Sequence, residues 1–505
     1  MGASVATASP AAAGTAPTVF STEVTSLATG FLEDGLITLD EALENADSNP
    51  GPDTITFVDA LFADDALVGE PEIITLETEF VDGDITIEGP GEDKLVVAVA
   101  VAFDEPEFAG SSSGRLEFHG DGDVTIKDLT IDGGLLVVGD GDEVPLAPVE
   151  STPMDTLLER VTIDVGYSSG VSFFFTEGDV TIIDSTFSGD FNLTTLSSFD
   201  RNATSVGATN VDDVDVSGST FAGVGLDVDG ADSLTVTNST ISESIAGAVT
   251  FDDVNGDVTI SDSTIFDNSN DDFDGPIIGN PVPVLTCAAL CASADPGDTP
   301  SETGHTLLIE NSTITENDQS PEAPLIHHSV VDPYEITASL DDESLATIEL
   351  SGTTIAGNNS APVICFDPCD LAVDTFSSRS SIVYADVLQG DLLILTDNGS
   401  SEPFGVSMGP DLVRDEPSLA ESPFASNIVS VVLPDDSEFD DEAKSFGEAG
   451  VINGVFVGNA VFTDDPQLGD LADNGGDTRT MLPAPSSLAV DLGSFGPDLD
   501  GDDVL

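Results

Sequence analysis

A twelve-residue phrase, GDVTIIDSTFSG at 178–189, returns along this chain with its apolar positions intact. GDVTIKDLTIDG begins at Gly122, GDVTISDSTIFD at Gly256, TLLIENSTITEN at Thr306 and ATIELSGTTIAG at Ala346. Within each copy the apolar residues alternate with period two: Val180 and Ile182 face one way, Thr181 and Ile183 the other. Asp184-Ser185 then interrupts the run, and a second short strand carries Phe187. Strand, corner, strand is the reading, because dense Val, Thr and Ile punctuated by Asp and Gly disfavour helix.

The last apolar residue of each copy gives a set of anchors: Ile131, Ile163, Phe187, Phe221, Ile241, Ile265, Ile314 and Ile355. Successive gaps are 32, 24, 34, 20, 24, 49 and 41 residues. The shortest match one coil of a solenoid, and the longer ones match a coil plus an insertion or two coils with one degenerate copy. An antiparallel sandwich expects hairpins between unlike strands. Here like follows like one period later, so the expected fold is all-β, a single-stranded right-handed parallel β-helix. Each coil adds about 4.8 Å, and only the stack can bury the apolar edge of any one coil. The repeat exists because every coil must present the same inward side chains at the same height. Insertions leave from corners; the largest, 271–301, is expected to be a disulfide-pinned loop.

The chain carries 96 acidic and 9 basic residues, a formal charge of −87. Disorder is excluded by the 40% hydrophobic content and its strict alternation. Charge of this size repels nucleic acid, acidic lipid and polyanionic glycans. Solubility, divalent-cation loading and adaptation to salty surroundings remain, and Asp in every segment with almost no Lys favours the halophilic reading.

Cys287, Cys291, Cys365 and Cys369 form two Cys-x-x-x-Cys pairs, a spacing that fits neither a zinc knuckle nor a thioredoxin-like motif. Two loop disulfides of a secreted protein are expected, with the pairing open. No stretch reaches transmembrane length. Residues 1–25 read as the tail of a signal peptide followed by a Pro/Ala/Thr linker. Residues 26–120 are then an N-terminal cap with the first coils, 121–400 the β-helix with insertions, and 401–505 the last coils with a closing module. Leu36, Leu39, Ala42 and Leu43 mark one face of the capping helix, which a solenoid needs to protect its open strand edges.

Asn268, Asn317 and Asn358 each follow an anchor by three residues. They read either as left-handed corner residues or as a turn ladder bonded along the axis.

The stretch SNPGPDTITF (48–57) resembles the N-terminal module of bacterial secreted β-helix proteins named for a Cys-Ser-Leu-Arg-Glu-Ala motif. Here ITLDEAL stands at the motif, with no Cys and with Asp40 in the place of Arg. Asp465–Ser494, with its Asp-Pro-x-Leu start, central Asn-Gly-Gly and SSLAVDLG close, is similar to the C-terminal signature of the choice-of-anchor Q domain group. The resemblance implies an exported, extracellular or cell-surface protein, and implies no activity.

A polysaccharide lyase would need a basic proton acceptor, and nine basic residues with no local cluster offer little. A glycoside hydrolase needs only two or three placed carboxylates. Asp498, Asp500 and Asp502 alternate around Gly501 as a candidate Ca²⁺ loop, without the later Glu of an EF-hand. His119, His305 and His327-His328 are too scattered for a metal centre. Outward Thr125, Thr181, Thr259 and Thr313 suggest a flat hydroxyl face for glycans or ice, and copies without Thr at this register argue against an ice lattice. Asn-x-Ser/Thr matches at Asn238 and Asn311 lie in the repeat itself and need no glycan. With three Tyr and no Trp, sugar-stacking platforms are scarce. The expected role is a non-catalytic adhesive or structural spacer, with extracellular glycan, surface proteins and Ca²⁺ as candidate partners. The alternative is a carbohydrate-active enzyme with carboxylates in a groove.

Overall fold

The computed structural model describes most of residues 21–100 and 115–269, the strand segments between 290 and 462, and residues 467–487. The alternating phrases fold into short strands, and every ladder between named strands is parallel among the described residues. A coil has three strands. In one coil these are Val171–Phe174, Val180–Ile183 and Thr186–Gly189, which belong to sheets called three, one and two below. Like residues stack on like: Val97, Ile131, Ile163, Phe187, Phe221, Ile241, Ile265, Ile314 and Ile355 occupy successive rungs of sheet two. All eight anchors read from the sequence therefore share one column. From Ile131 to Ile355 they are buried, and Phe187 and Phe221 stack face to face with centroids 4.9 Å apart. The protein is a parallel β-solenoid with an apolar interior.

The polar letters of the repeat also have positions. Asp184, Asn238, Asp262 and Asn311 take positive φ between 48° and 50° at the corner after sheet one. The following Ser is buried and bonds twice: Ser185 Oγ donates to the Ile183 carbonyl (2.8 Å) and accepts from Val161 N–H (3.2 Å). Ser219, Ser239, Ser263 and Ser312 continue this ladder, each hydroxyl accepting the N–H of the preceding coil's Ser. Buried backbone donors at a corner must find a partner, and serine supplies it without adding bulk.

At the next corner the left-handed residue is not the asparagine but its predecessor: Asp267 (φ 56°), Glu316 (φ 58°) and Gly357 (φ 70°). Asn268, Asn317 and Asn358 are buried instead. Asn268 Nδ2 donates to Asn317 Oδ1, and Asn317 Nδ2 to Asn358 Oδ1, both at 2.9 Å. The same Oδ1 atoms accept Asn268 N–H and Asn317 N–H at 3.1 Å.

Thr156 is an inward position that departs from the apolar rule. It lies between Val124 and Val180 in sheet one, and its hydroxyl has no partner among the described residues.

Helix α1 (Leu39–Ser48) closes the N-terminal end of the interior. Thr38 caps it, accepting from Glu41 N–H, while Glu41 Oε2 accepts from Thr38 N–H at 3.0 Å. Its Leu39 and Leu43 line an apolar space with Leu76, Ile87, Val97 and Ile126 of the first coils. Leu36, placed on the same face from sequence, stays exposed because it precedes the cap. The Asn-Pro-Gly that follows turns the chain into strand Asp53–Phe57: Gly51 takes φ 101°, and Asn49 Nδ2 donates to Asp53 Oδ1 at 3.0 Å.

The insertion at 271–301 is not wholly a loop. Leu290–Ser293 is a strand of sheet three, in register with Val249–Asp252, because the coil still needs its third side.

Candidate functional site

The position just before each anchor is threonine on eight successive rungs. Thr130, Thr162, Thr186, Thr220, Thr240, Thr264, Thr313 and Thr354 pair in register along sheet two. At about 4.8 Å per rung the column runs about 34 Å. The four threonines singled out from sequence do not form one face. Thr125, Thr181 and Thr259 belong to sheet one, where Leu157 and Asp215 interrupt the column, whereas Thr313 belongs to the unbroken column of sheet two.

Two segments of the chain already use this column. Near its N-terminal end the turn Gly91–Lys94 lies across it: Thr130 Oγ1 donates to the Glu92 carbonyl (2.9 Å) and Thr162 Oγ1 to Glu92 Oε2 (3.1 Å). Toward the other end Thr264 Oγ1 donates to the Arg479 carbonyl (2.6 Å), and Thr264 is fully buried. Between them Thr186, Thr220 and Thr240 are half-buried, and their hydroxyls have no partner among the described residues. The result is a window of about 19 Å, four rungs from Thr162 to Thr264. It is floored by hydroxyls, edged by Ser188, Ala222 and Ser242, and bounded by Glu92 and Arg479. Such a floor offers neutral donors and acceptors to an extended polar chain.

The C-terminal boundary is a self-supporting hairpin. Ala472 and Thr480 exchange N–H···O bonds at 3.1 and 2.9 Å, and Gly469 N–H donates to the Leu482 carbonyl. Asn474 Nδ2 donates to the Ala472 and Thr480 carbonyls, and Gly475 takes φ 95°, so the Asn-Gly-Gly of the signature is the hairpin's tip. Its contacts with the solenoid are fewer. Thr478 Oγ1 donates to the Asp262 carbonyl (3.0 Å), Thr264 donates to Arg479, and the Arg479 guanidinium lies 4.9 Å from the Phe266 ring centroid. Two neutral hydrogen bonds and one exposed cation–π pair contribute on the order of 2–3 kcal/mol. Residues 467–487, the described part of the closing module expected from the sequence, thus lie along the side of the solenoid. They reach the rung of Ile265, five rungs before the Phe462 rung.

A second column carries carboxylates. Asp84, Asp123, Asp155 and Asp179 each accept the backbone N–H of the next residue in the series, which ends at Asp213, at 2.9–3.4 Å. Glycine precedes Asp84, Asp123 and Asp179, and at Gly178 it permits a close approach: a Cβ there would sit 2.7 Å from the Met154 carbonyl. In the sequence the Gly-Asp pair marks three of the five members, Asp84, Asp123 and Asp179. Beside the ladder, Asp212 titrates above the ordinary carboxylate range, first through burial and then through Asp232, Asp179, Asp213 and Glu177. Asp215 is raised likewise by burial and by Asp213. Among the described residues no group of three or more His, Cys, Asp or Glu is arranged to hold a metal ion.

Basic side chains here are engaged structurally. Arg160 grips Asp128 through Nε (2.7 Å) and Nη2 (3.0 Å) and also meets Glu159, while Lys127 pairs with Glu159 at 3.1 Å. Arg160 holds the Asp128 carboxyl below its usual range.

Cys291, His327 and Cys365 fall on three successive rungs of sheet three. Cys291 and Cys365 are therefore about 9.6 Å apart at Cα, beyond the roughly 7 Å limit of a disulfide. Of the three pairings the sequence left open, the one joining these two is excluded. Cys287, Cys369 and the Asp498, Asp500, Asp502 loop lie outside the described residues. No described helix is long and apolar enough to cross a membrane.

Compared with protein-family models, with curated proteins and with solved structures, the chain matches none.

Proposed function

We propose that this protein is a non-catalytic, exported β-solenoid spacer whose threonine window adheres to a neutral, extended glycan at or near a cell surface. The unbroken column of eight threonines carries the reading. The interior explains the anchors but places no demand on the residue before them, since β-branched and aromatic residues of many kinds suit an outward strand position. The charge of −87 disfavours anionic partners and leaves neutral polymers. The resemblance of SNPGPDTITF and of Asp465–Ser494 to the choice-of-anchor Q and Cys-Ser-Leu-Arg-Glu-Ala groups supports export. The acidic surface supports adaptation to salt, with Ca²⁺ as a further ligand at Asp498, Asp500 and Asp502.

A second reading, a glycoside hydrolase, is favoured by one observation: burial and neighbouring carboxylates raise both Asp212 and Asp215 above the ordinary carboxyl value. Screening neutral polysaccharides for retention and for soluble products, with and without EDTA, separates the readings. Retention without products supports the spacer. Reducing ends released from a bound polymer establish the enzyme, and retention abolished by EDTA makes Ca²⁺ part of the site.

A further inference from the structure

We infer that the Leu468–Pro483 hairpin is a displaceable strap that occupies the threonine column in place of ligand. This rests on the glycan reading for the identity of the competitor, but the strap itself rests on geometry alone. The hairpin holds its own shape: the Ala472–Thr480 and Gly469–Leu482 bonds and the Asn474 amide are all internal to it. Undocking therefore does not require its unfolding. Its tip meets the solenoid through Thr478 to the Asp262 carbonyl, Thr264 to the Arg479 carbonyl, and Arg479 over Phe266. Two of these three contacts use the rung that ends the open window. Thr264 donates to a main-chain carbonyl there, the same bond that Thr130 makes to Glu92 at the opposite end. A polymer running along the column meets this tip next after Thr240, and it gains the Thr264 hydroxyl when the tip lifts. The window then lengthens toward Thr313 and Thr354.

Trypsin reads the docked state directly, because the chain has only nine basic residues and Arg479 lies at the tip. Two full-length variants weaken the contact from opposite sides: Thr478→Ala, on the hairpin and outside the solenoid, and Thr264→Val on the rung. Cleavage after Arg479 is expected to quicken about tenfold in each while cleavage after Lys127 holds its rate, since proteolysis follows the open population. Unchanged cleavage after Arg479 in both variants overturns the strap. Equal acceleration at Lys127 in Thr478→Ala also overturns it, by making the hairpin part of the fold. With a polysaccharide that the wild type retains, the polymer is expected to speed cleavage after Arg479. A bound polymer that leaves it unchanged overturns displacement. If no polysaccharide is retained, the glycan reading fails and the two variants still decide the strap.

Discussion

Thr264 donates its hydroxyl proton to the carbonyl of Arg479, 215 residues further along the chain, at 2.6 Å. The bond joins an outward position of the repeat to a hairpin that lies beyond the last strands. Nothing periodic announces it. Around it the outward threonines are neighbours in space because each coil copies the one before.

Thr156 is a flaw of the inward face. It is 1% exposed, and its hydroxyl has no partner between Val124 and Val180. Thr156→Val keeps the shape and removes the orphan oxygen. Denaturant titration should show a gain of about 1–2 kcal/mol. A loss instead would mean that the hydroxyl is bonded after all.

Asn317 sits mid-ladder, giving to Asn358 Oδ1 and the Ile265 carbonyl and accepting from Asn268 twice. Asn317→Ala strands several buried groups and should destabilise by about 3 kcal/mol or more. Asp267→Asn, one residue before Asn268 and exposed at φ 56°, should be neutral or slightly stabilising. Equal losses at Asn317 and Asp267 would show that the corner is held by backbone shape and not by the ladder.

Asp212 and Asp215 bind protons more readily in the folded chain than in the unfolded one. Their contribution to stability therefore falls as pH rises from the ordinary carboxylate range through their raised values. Asp128, held low by Arg160, has the opposite sign: its contribution is present above the ordinary carboxylate range and lost as pH falls through its lowered value. At pH 7 and low salt, Asp212→Asn and Asp215→Asn should each raise Tm by about 1–2 °C. Near pH 4 or in molar salt the gain should shrink. A gain unaffected by both would point to packing and away from charge.

Non-reducing peptide mapping should recover no peptide joining Cys291 directly to Cys365, because His327 occupies the rung between them. Finding that link would shift the register of sheet three by at least one rung.

The solenoid was legible because its signal is local and repeated. Val180-Thr181-Ile182 already shows the period, and the anchors from Ile131 to Ile355 share a column because each copy faces the same requirement. Ser185 and Asp179 were visible only as turn residues. Their partners, Val161 and Asp155, lie one coil back at distances the sequence does not mark. Asn268 was legible as a corner, but its burial depends on Asn317 49 residues away. The threonine face was half legible: Thr181 and Thr313 looked equivalent, and only the register assigns them to different sheets. The hairpin's side-on docking depends on two bonds and one ring contact, none of which repeats.

The most direct test is the affinity of the full chain for the neutral polysaccharide it retains best, against the variant Thr186→Val/Thr220→Val/Thr240→Val. Valine preserves the strand and deletes only the three hydroxyls of the window. If the threonine column is the adhesive surface, isothermal titration should show binding weakened about a hundredfold with Tm unchanged. Wild-type affinity in the triple variant would contradict the account.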